Sequence, residues 1–251
     1  MTRPKLVSPW FWIPHPRPDA ELRLFCFPHA GGDASSFTGL SVALPPSVEV
    51  WALRLPGRGG RLAERLPRDL DALVRQLVAV LRPELTRPYA LLGQSLGAMT
   101  AYQVARELAG WRPPVGCVLA ALLPPHLWTG PPGPDDPAEL AEFLHRVDPA
   151  TTEILAHPGL REIALSAVTA DLALCHGYRY RPAPPLDRPI HALVGDADPT
   201  VTPAQMREWA RYTTAPFTLS AARAGHLVVQ AAPAAAAGAV GRLLPSSTQR
   251  P

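Results

Sequence analysis

A chain of 251 residues, 47% of them hydrophobic, can bury a full core and at this length is expected to form one α/β domain. Its 24 basic and 21 acidic residues leave a net charge of +3, too small to argue for a nucleic acid partner, and no apolar run is long enough to suggest a membrane span. Cys26, Cys117 and Cys175 are odd in number and widely spaced, which excludes a disulfide framework; they read as buried free thiols, and with no basic start before an apolar run the chain is expected to be soluble and cytoplasmic.

After an irregular Pro- and Trp-rich arm through about Asp19, Leu22 to Phe27 is predicted as a strand, followed by the loop His29-Ala30-Gly31-Gly32. A second strand, Val48 to Leu53, ends at Pro56-Gly57. Leu70, Leu73, Val74, Leu77, Val78 and Leu81 recur at helical spacing, predicting a helix over Asp69 to Leu85. The unit repeats with strand Tyr89 to Leu92, a helix through Ala109, and strand Gly116 to Leu122. Strands alternating with helices imply a mostly parallel sheet covered on both faces, and hence an α/β fold.

From Pro124 to Pro185 the alternation stops, and helices are predicted near Pro137 to Val147 and Leu160 to Tyr178. An insertion at the C-terminal end of a strand overhangs the place where open α/β sheets bind ligands, so this segment reads as a lid on a core of about residues 20–123 and 186–245. Strand Ile190 to Val194, helix Pro203 to Thr213, strand Phe217 to Leu219 and helix Pro233 to Leu244 complete the pattern. The tail, residues 246–251, reads as disordered.

Gly93-Gln94-Ser95-Leu96-Gly97 lies between a strand and a helix, the context of a nucleophile elbow. An ordinary glycine-rich turn would carry the same letters, so the downstream partners decide. A serine hydroxyl needs a base, and the base needs an anion to orient it. His226 follows the strand at Phe217 to Leu219, and Asp198 follows the strand ending at Val194, with Asp196 as the alternative acid. The order Ser95, Asp198, His226 is the order of an α/β-hydrolase. The Leu96 amide is the expected first oxyanion donor and the Ala30 amide, in its glycine-bearing loop, the second. No histidine makes a metal-like spacing with another His or Cys. Arg54, Arg58, Arg61, Arg65 and Arg68 form either a solvated face or a basic rim for an acidic partner.

Phe27-Pro28-His29-Ala30-Gly31-Gly32, Leu55-Pro56-Gly57-Arg58, Gly93 to Ala98, Gly195-Asp196-Ala197-Asp198-Pro199 and Gly225-His226 together resemble the type II thioesterases of polyketide and nonribosomal peptide biosynthesis. The resemblance implies an α/β-hydrolase fold with a helical lid and a serine thioesterase without a cofactor of its own. It implies hydrolysis of acyl groups from the phosphopantetheine arm of an acyl or peptidyl carrier protein. It also favours the docking reading for Arg54, Arg58, Arg61 and Arg65. The chain is expected to act as a monomer, with His29, Gln94, Trp128, Phe143, Leu144 and Ile154 meeting substrate. Where the family usually has histidine before the nucleophile and methionine after it, this chain has Gln94 and Leu96. A product-releasing thioesterase or cyclase, a carboxylesterase, and a non-catalytic carrier-binding module are the alternative readings.

Overall fold

In the computed structural model the described residues are 3–67, 69–128, 136–148, 151–176 and 178–244. Arg68 and the tail 246–251 lie outside them, as does the side chain of Cys175. In chain order the regular elements are β1 (Lys5–Ser8), β2 (Phe11–Ile13), β3 (Leu22–Phe27), α1 (Thr38–Ala43), β4 (Val48–Leu53), α2 (Leu70–Leu81), β5 (Tyr89–Gln94), α3 (Leu96–Leu108) and β6 (Cys117–Ala120). They continue with α4 (Pro137–Val147), α5 (Thr151–Ala156), α6 (Pro158–His176), β7 (Ile190–Gly195), α7 (Pro203–Arg207), β8 (Phe217–Ala222), α8 (Val228–Ala231) and α9 (Pro233–Gly241).

One sheet of the order β1-β2-β4-β3-β5-β6-β7-β8 runs through the molecule, parallel from β4 to β8 and closed at one edge by an antiparallel hairpin. Strands β4, β5, β6 and β7 are buried along their whole length, as expected of parallel strands covered on both faces. The hairpin corrects the expectation of an irregular arm. Its strands of four and three residues are too short to show a period, but Phe11 and Ile13 are buried and Phe11 and Trp12 pair with Leu53 and Ala52 of β4. Phe11 meets Phe25 and Trp51 with ring centroids 5.6 Å apart in each case, so tertiary packing holds a segment that local propensity does not.

Helix α2 starts where Asp69 accepts from the Ala72 amide at 2.7 Å, a side-chain cap on an otherwise orphaned N–H. Leu70, Leu73, Val74, Leu77 and Leu81 are buried, and each contributes about 1.5–3 kcal/mol by leaving water. The helix gives way to a 3₁₀ turn at Arg82–Glu84, where Pro83 cannot continue the ladder. The predicted Pro203 to Thr213 helix likewise splits into α7 and a 3₁₀ turn, Glu208–Tyr212. Between β6 and β7 the chain leaves the sheet and forms α4, α5 and α6; the short α5 was not expected from the sequence.

Candidate active site

The C-terminal ends of β3, β5, β7 and β8 bring the candidate residues together. Ser95 follows β5 with φ 55° and ψ −125°, a conformation disfavoured for a residue with a Cβ and kept only where its surroundings over-determine it. Those surroundings are the two glycines. A Cβ on Gly93 would stand 2.1 Å from the Gly97 carbonyl oxygen, and one on Gly97 would stand 2.1 Å from the Phe27 carbonyl oxygen. Strand, helix and the loop that follows β3 therefore touch backbone to backbone, and the Ser95 amide donates to the Ala120 carbonyl at 2.9 Å. Leu96 is the first residue of α3, so its N–H has no intrahelical acceptor.

His226 Nε2 lies 2.9 Å from Ser95 Oγ, and His226 Nδ1 lies 2.9 Å from Asp198 Oδ2. The Asp198 side chain is fully buried and that of His226 nearly so. Burial works to raise the Asp198 pKa, but hydrogen bonds from His226 and from the Thr200 amide and hydroxyl outweigh it and hold the carboxyl below its ordinary value. Thr200 was missed by the sequence reading. Its N–H and hydroxyl donate to Asp198 Oδ1 at 2.8 Å each, leaving Oδ2 for the imidazole. Asp196 is exposed and its Oδ1 accepts from the Ala224 amide, so the alternative acid braces the His226 loop and does not reach the imidazole.

His29, Ala30, Ser95, Leu96, His226 and Gln230 line one side of a cavity of about 460 Å³. Trp128, Phe143, Leu144, Val147, Ile154, Val168 and Leu172 make the rest of its wall largely apolar. His29 folds back so that Nδ1 bonds the Ala30 carbonyl oxygen at 2.9 Å, and burial lowers its pKa, favouring the neutral ring.

Gln94, expected to meet substrate, does not line this cavity. It is buried under the elbow, where Oε1 accepts from the Val229 amide at 2.7 Å and Nε2 donates to Gln230 Oε1 at 2.8 Å. Two of the four arginines assigned to docking are also corrected. Arg58 is buried against Asp171, and Arg61 is buried between Glu64 and the face of Trp10, 3.8 Å from the ring centroid. A guanidinium can be buried in this way because its planar fork satisfies several acceptors at once. Arg54 is partly exposed and Arg65 exposed. Asp171, on α6, is a further residue that the sequence reading did not single out.

A family model described as a thioesterase domain matches residues 22–242. The chain belongs to that thioesterase family. Thioesterase PikA5 of Streptomyces venezuelae is 36% identical over 237 residues, covering 89% of this chain and 82% of that protein. The AMB antimetabolite synthetase AmbE of Pseudomonas aeruginosa is 38% identical over 224 residues, 84% of this chain but 10% of AmbE, so the chain spans about a tenth of that relative. The solved type II thioesterase BorB of the borrelidin biosynthetic cluster superposes with a TM-score of 0.81 at 34% identity, covering 96% of this chain and 98% of that one. The fold is accordingly that of an α/β-hydrolase thioesterase. Among the described residues no cluster of three or more His, Cys, Asp or Glu is suited to hold a metal ion, and no helix is long and apolar enough to cross a membrane.

Proposed function

We propose that this thioesterase hydrolyses acyl groups from the phosphopantetheine arm of acyl or peptidyl carrier proteins in polyketide or nonribosomal peptide biosynthesis, clearing stalled or aberrant chains. The observation that carries the reading is the Ser95–His226–Asp198 hydrogen-bond relay opening on an apolar chamber. His226 takes the Ser95 proton as Oγ attacks the thioester carbonyl, and the Leu96 and Ala30 amides hold the oxyanion. The tetrahedral species collapses with loss of the phosphopantetheine thiolate, a leaving group good enough to depart with little help, which takes the proton from His226 Nε2 and diffuses away as the thiol, leaving the imidazole neutral. Water, deprotonated by the same imidazole, then attacks the acyl-serine, and collapse of the second tetrahedral species returns the proton to Ser95 Oγ and releases the free acid. Asp198 keeps Nδ1–H aimed inward throughout, so Nε2 is always the nitrogen that faces Ser95. The acyl chain occupies the cavity walled by Trp128, Phe143, Leu144 and Ile154.

The test is hydrolysis of a panel of acyl groups, varied in length and branching, loaded on a carrier protein, with small oxygen esters alongside. Clearance predicts a shallow profile and free acids as products. Faster turnover of the oxygen esters than of the carrier thioesters would instead support a carboxylesterase, and a product lighter than the acid by one water a cyclase. Ser95→Ala is expected to abolish turnover and fluorophosphonate labelling while leaving the melting temperature unchanged; full hydrolysis by this variant overturns the reading.

A further inference from the structure

One buried ion pair joins the chamber wall to the oxyanion loop. Asp171 lies on α6 between Val168 and Leu172, both of which line the chamber, and it is 0% exposed. Its Oδ2 accepts from the Gly31 amide at 2.7 Å and from Arg58 Nη1 at 2.6 Å, while Oδ1 accepts from Arg58 Nη2 at 2.5 Å. Arg58 Nη1 also donates to the Gly32 carbonyl at 3.1 Å. The pair thus holds a donor and an acceptor of two consecutive loop residues, and Arg58 is itself buried.

The loop it holds is a β-turn. The Gly32 amide donates to the His29 carbonyl at 2.9 Å, and Gly31 has φ 74°, the positive value that a type II turn requires at its third residue. Type I and type II turns differ chiefly by a flip of the central peptide, here Ala30–Gly31. Asp171 takes the N–H end of that peptide and His29 Nδ1 the C=O end, so both ends are held in the type II sense. A Cβ on Gly31 would meet a Val168 methyl at 2.4 Å, so the same turn of α6 is seated on the loop by shape as well as by charge.

We infer that Arg58 and Asp171 are positioning residues, which set the peptide orientation of the oxyanion loop and tie α6 to it. The inference rests on the acyl-transfer reading, because the Ala30 amide matters only if an oxyanion forms beside it. Without the pair, the turn can exchange between its two forms. The flip turns the Ala30 carbonyl and the Gly31 N–H and so breaks the His29 Nδ1–Ala30 bond, and the loop carrying the adjoining His29–Ala30 peptide is no longer tied to α6, so the Ala30 N–H loses its fixed place at the reaction centre. The donor is then misaligned but still present. Deleting one oxyanion donor outright costs roughly 10²–10³ in kcat, so misalignment is expected to cost on the order of 10- to 100-fold.

The variants are Asp171→Asn, Arg58→Lys, and the double change Arg58→Met with Asp171→Leu, which removes both charges and leaves none stranded in the interior. Each is titrated with a fluorophosphonate so that rates are expressed per active serine, which removes any loss due to misfolding. The expected result is a kcat per active site lowered about 10- to 100-fold in Asp171→Asn and in the double variant, with KM changed less than about twofold. Affinity for a boronic acid that forms a tetrahedral adduct on Ser95 should fall in parallel. Arg58→Lys should recover part of the rate by keeping the charge while losing the fork. Wild-type kcat per active serine in the double variant overturns the inference, whatever its melting temperature. Rates are read on a nitrophenyl ester as well as on a carrier thioester, so that a wrong substrate assignment would leave this comparison intact.

Discussion

Gln94→Met isolates a contact that ties the turn at Ser95 to the segment carrying His226, the proposed base. The side chains are of similar length and shape, so packing is largely conserved and the change falls on hydrogen bonding. Gln94 Oε1 is the acceptor of the Val229 amide, and Val229 is fully buried three residues after His226. Methionine leaves that N–H without an acceptor, at a cost of about 1–3 kcal/mol. The other partner, Gln230, is only half-buried and lines the cavity, so water can replace its lost bond. One orphan and not two is therefore the basis of the estimate, and its middle value of about 2 kcal/mol corresponds to a fall in melting temperature of about 4–8 °C for a chain of this size. The short helix α8 would relieve the orphan by shifting toward water, taking His226 with it. A displacement of about 1 Å is enough to cost on the order of 100-fold in rate. Thermal denaturation and steady-state kinetics per titrated serine measure the two effects. A variant melting within about 1 °C of the parent, with unchanged kcat, would refute the claim that Gln94 braces the base.

Gly195→Ala should be among the most damaging small substitutions, because its Cβ would stand 2.1 Å from the Gly225 carbonyl oxygen and 2.2 Å from that of Ala224. The His226 loop must retreat, with an expected cost of about 1–3 kcal/mol and a larger proportional loss of kcat, read by melting and single-turnover rates. Phe143→Ala should widen the chamber and shift the acyl profile toward longer chains, by about fourfold in kcat/KM for each extra methylene buried at about 0.8 kcal/mol; an unchanged profile would remove Phe143 from the acyl wall. His191 makes the fold acid-sensitive. Burial within β7, aided by Arg242, pushes its imidazole down to about 4 from 6.5, so the unfolded chain binds the proton that the folded state refuses. This contribution is intact above about pH 6.5 and is lost as the pH falls toward about 4. Melting temperatures between pH 7.5 and 4.5 should therefore fall less steeply for His191→Gln than for the parent, and equal slopes would exclude His191 as a cause.

The residues legible in the sequence are those announced by local signals. Ser95 sits between glycines at a strand–helix junction, and Asp198 and His226 each follow an apolar run, so chain order and strand ends were enough to assemble them. Thr200, Asp171 and the true place of Gln94 carry no such signal. Gln94 meets a residue 136 positions away and Arg58 one 113 positions away, separations at which periodicity is silent. The arginines misled for a related reason. A run of charges reads as a solvated face, yet Arg58 and Arg61 are buried because Asp171 and Trp10, distant in the chain, meet the whole of their planar groups.

The site divides physically into a part without slack and a part with it. Gly93, Gly97 and Gly195 each bring backbone so close that a single added carbon would meet a carbonyl oxygen at 2.1 Å, and all three stand beside Ser95 or His226. The chemistry is therefore held by contacts that only glycine permits, and variation there is paid for in rate. The chamber wall contrasts with this, since Ile154 is 45% exposed and Phe143 and Leu144 are only half-buried while lining the cavity. Side chains with that much freedom can change size without displacing backbone. Substitutions along α4 and α5 should therefore redirect which acyl chain is taken. Those at the glycine contacts should lower turnover of every substrate alike, because they move the serine and its base and not the wall.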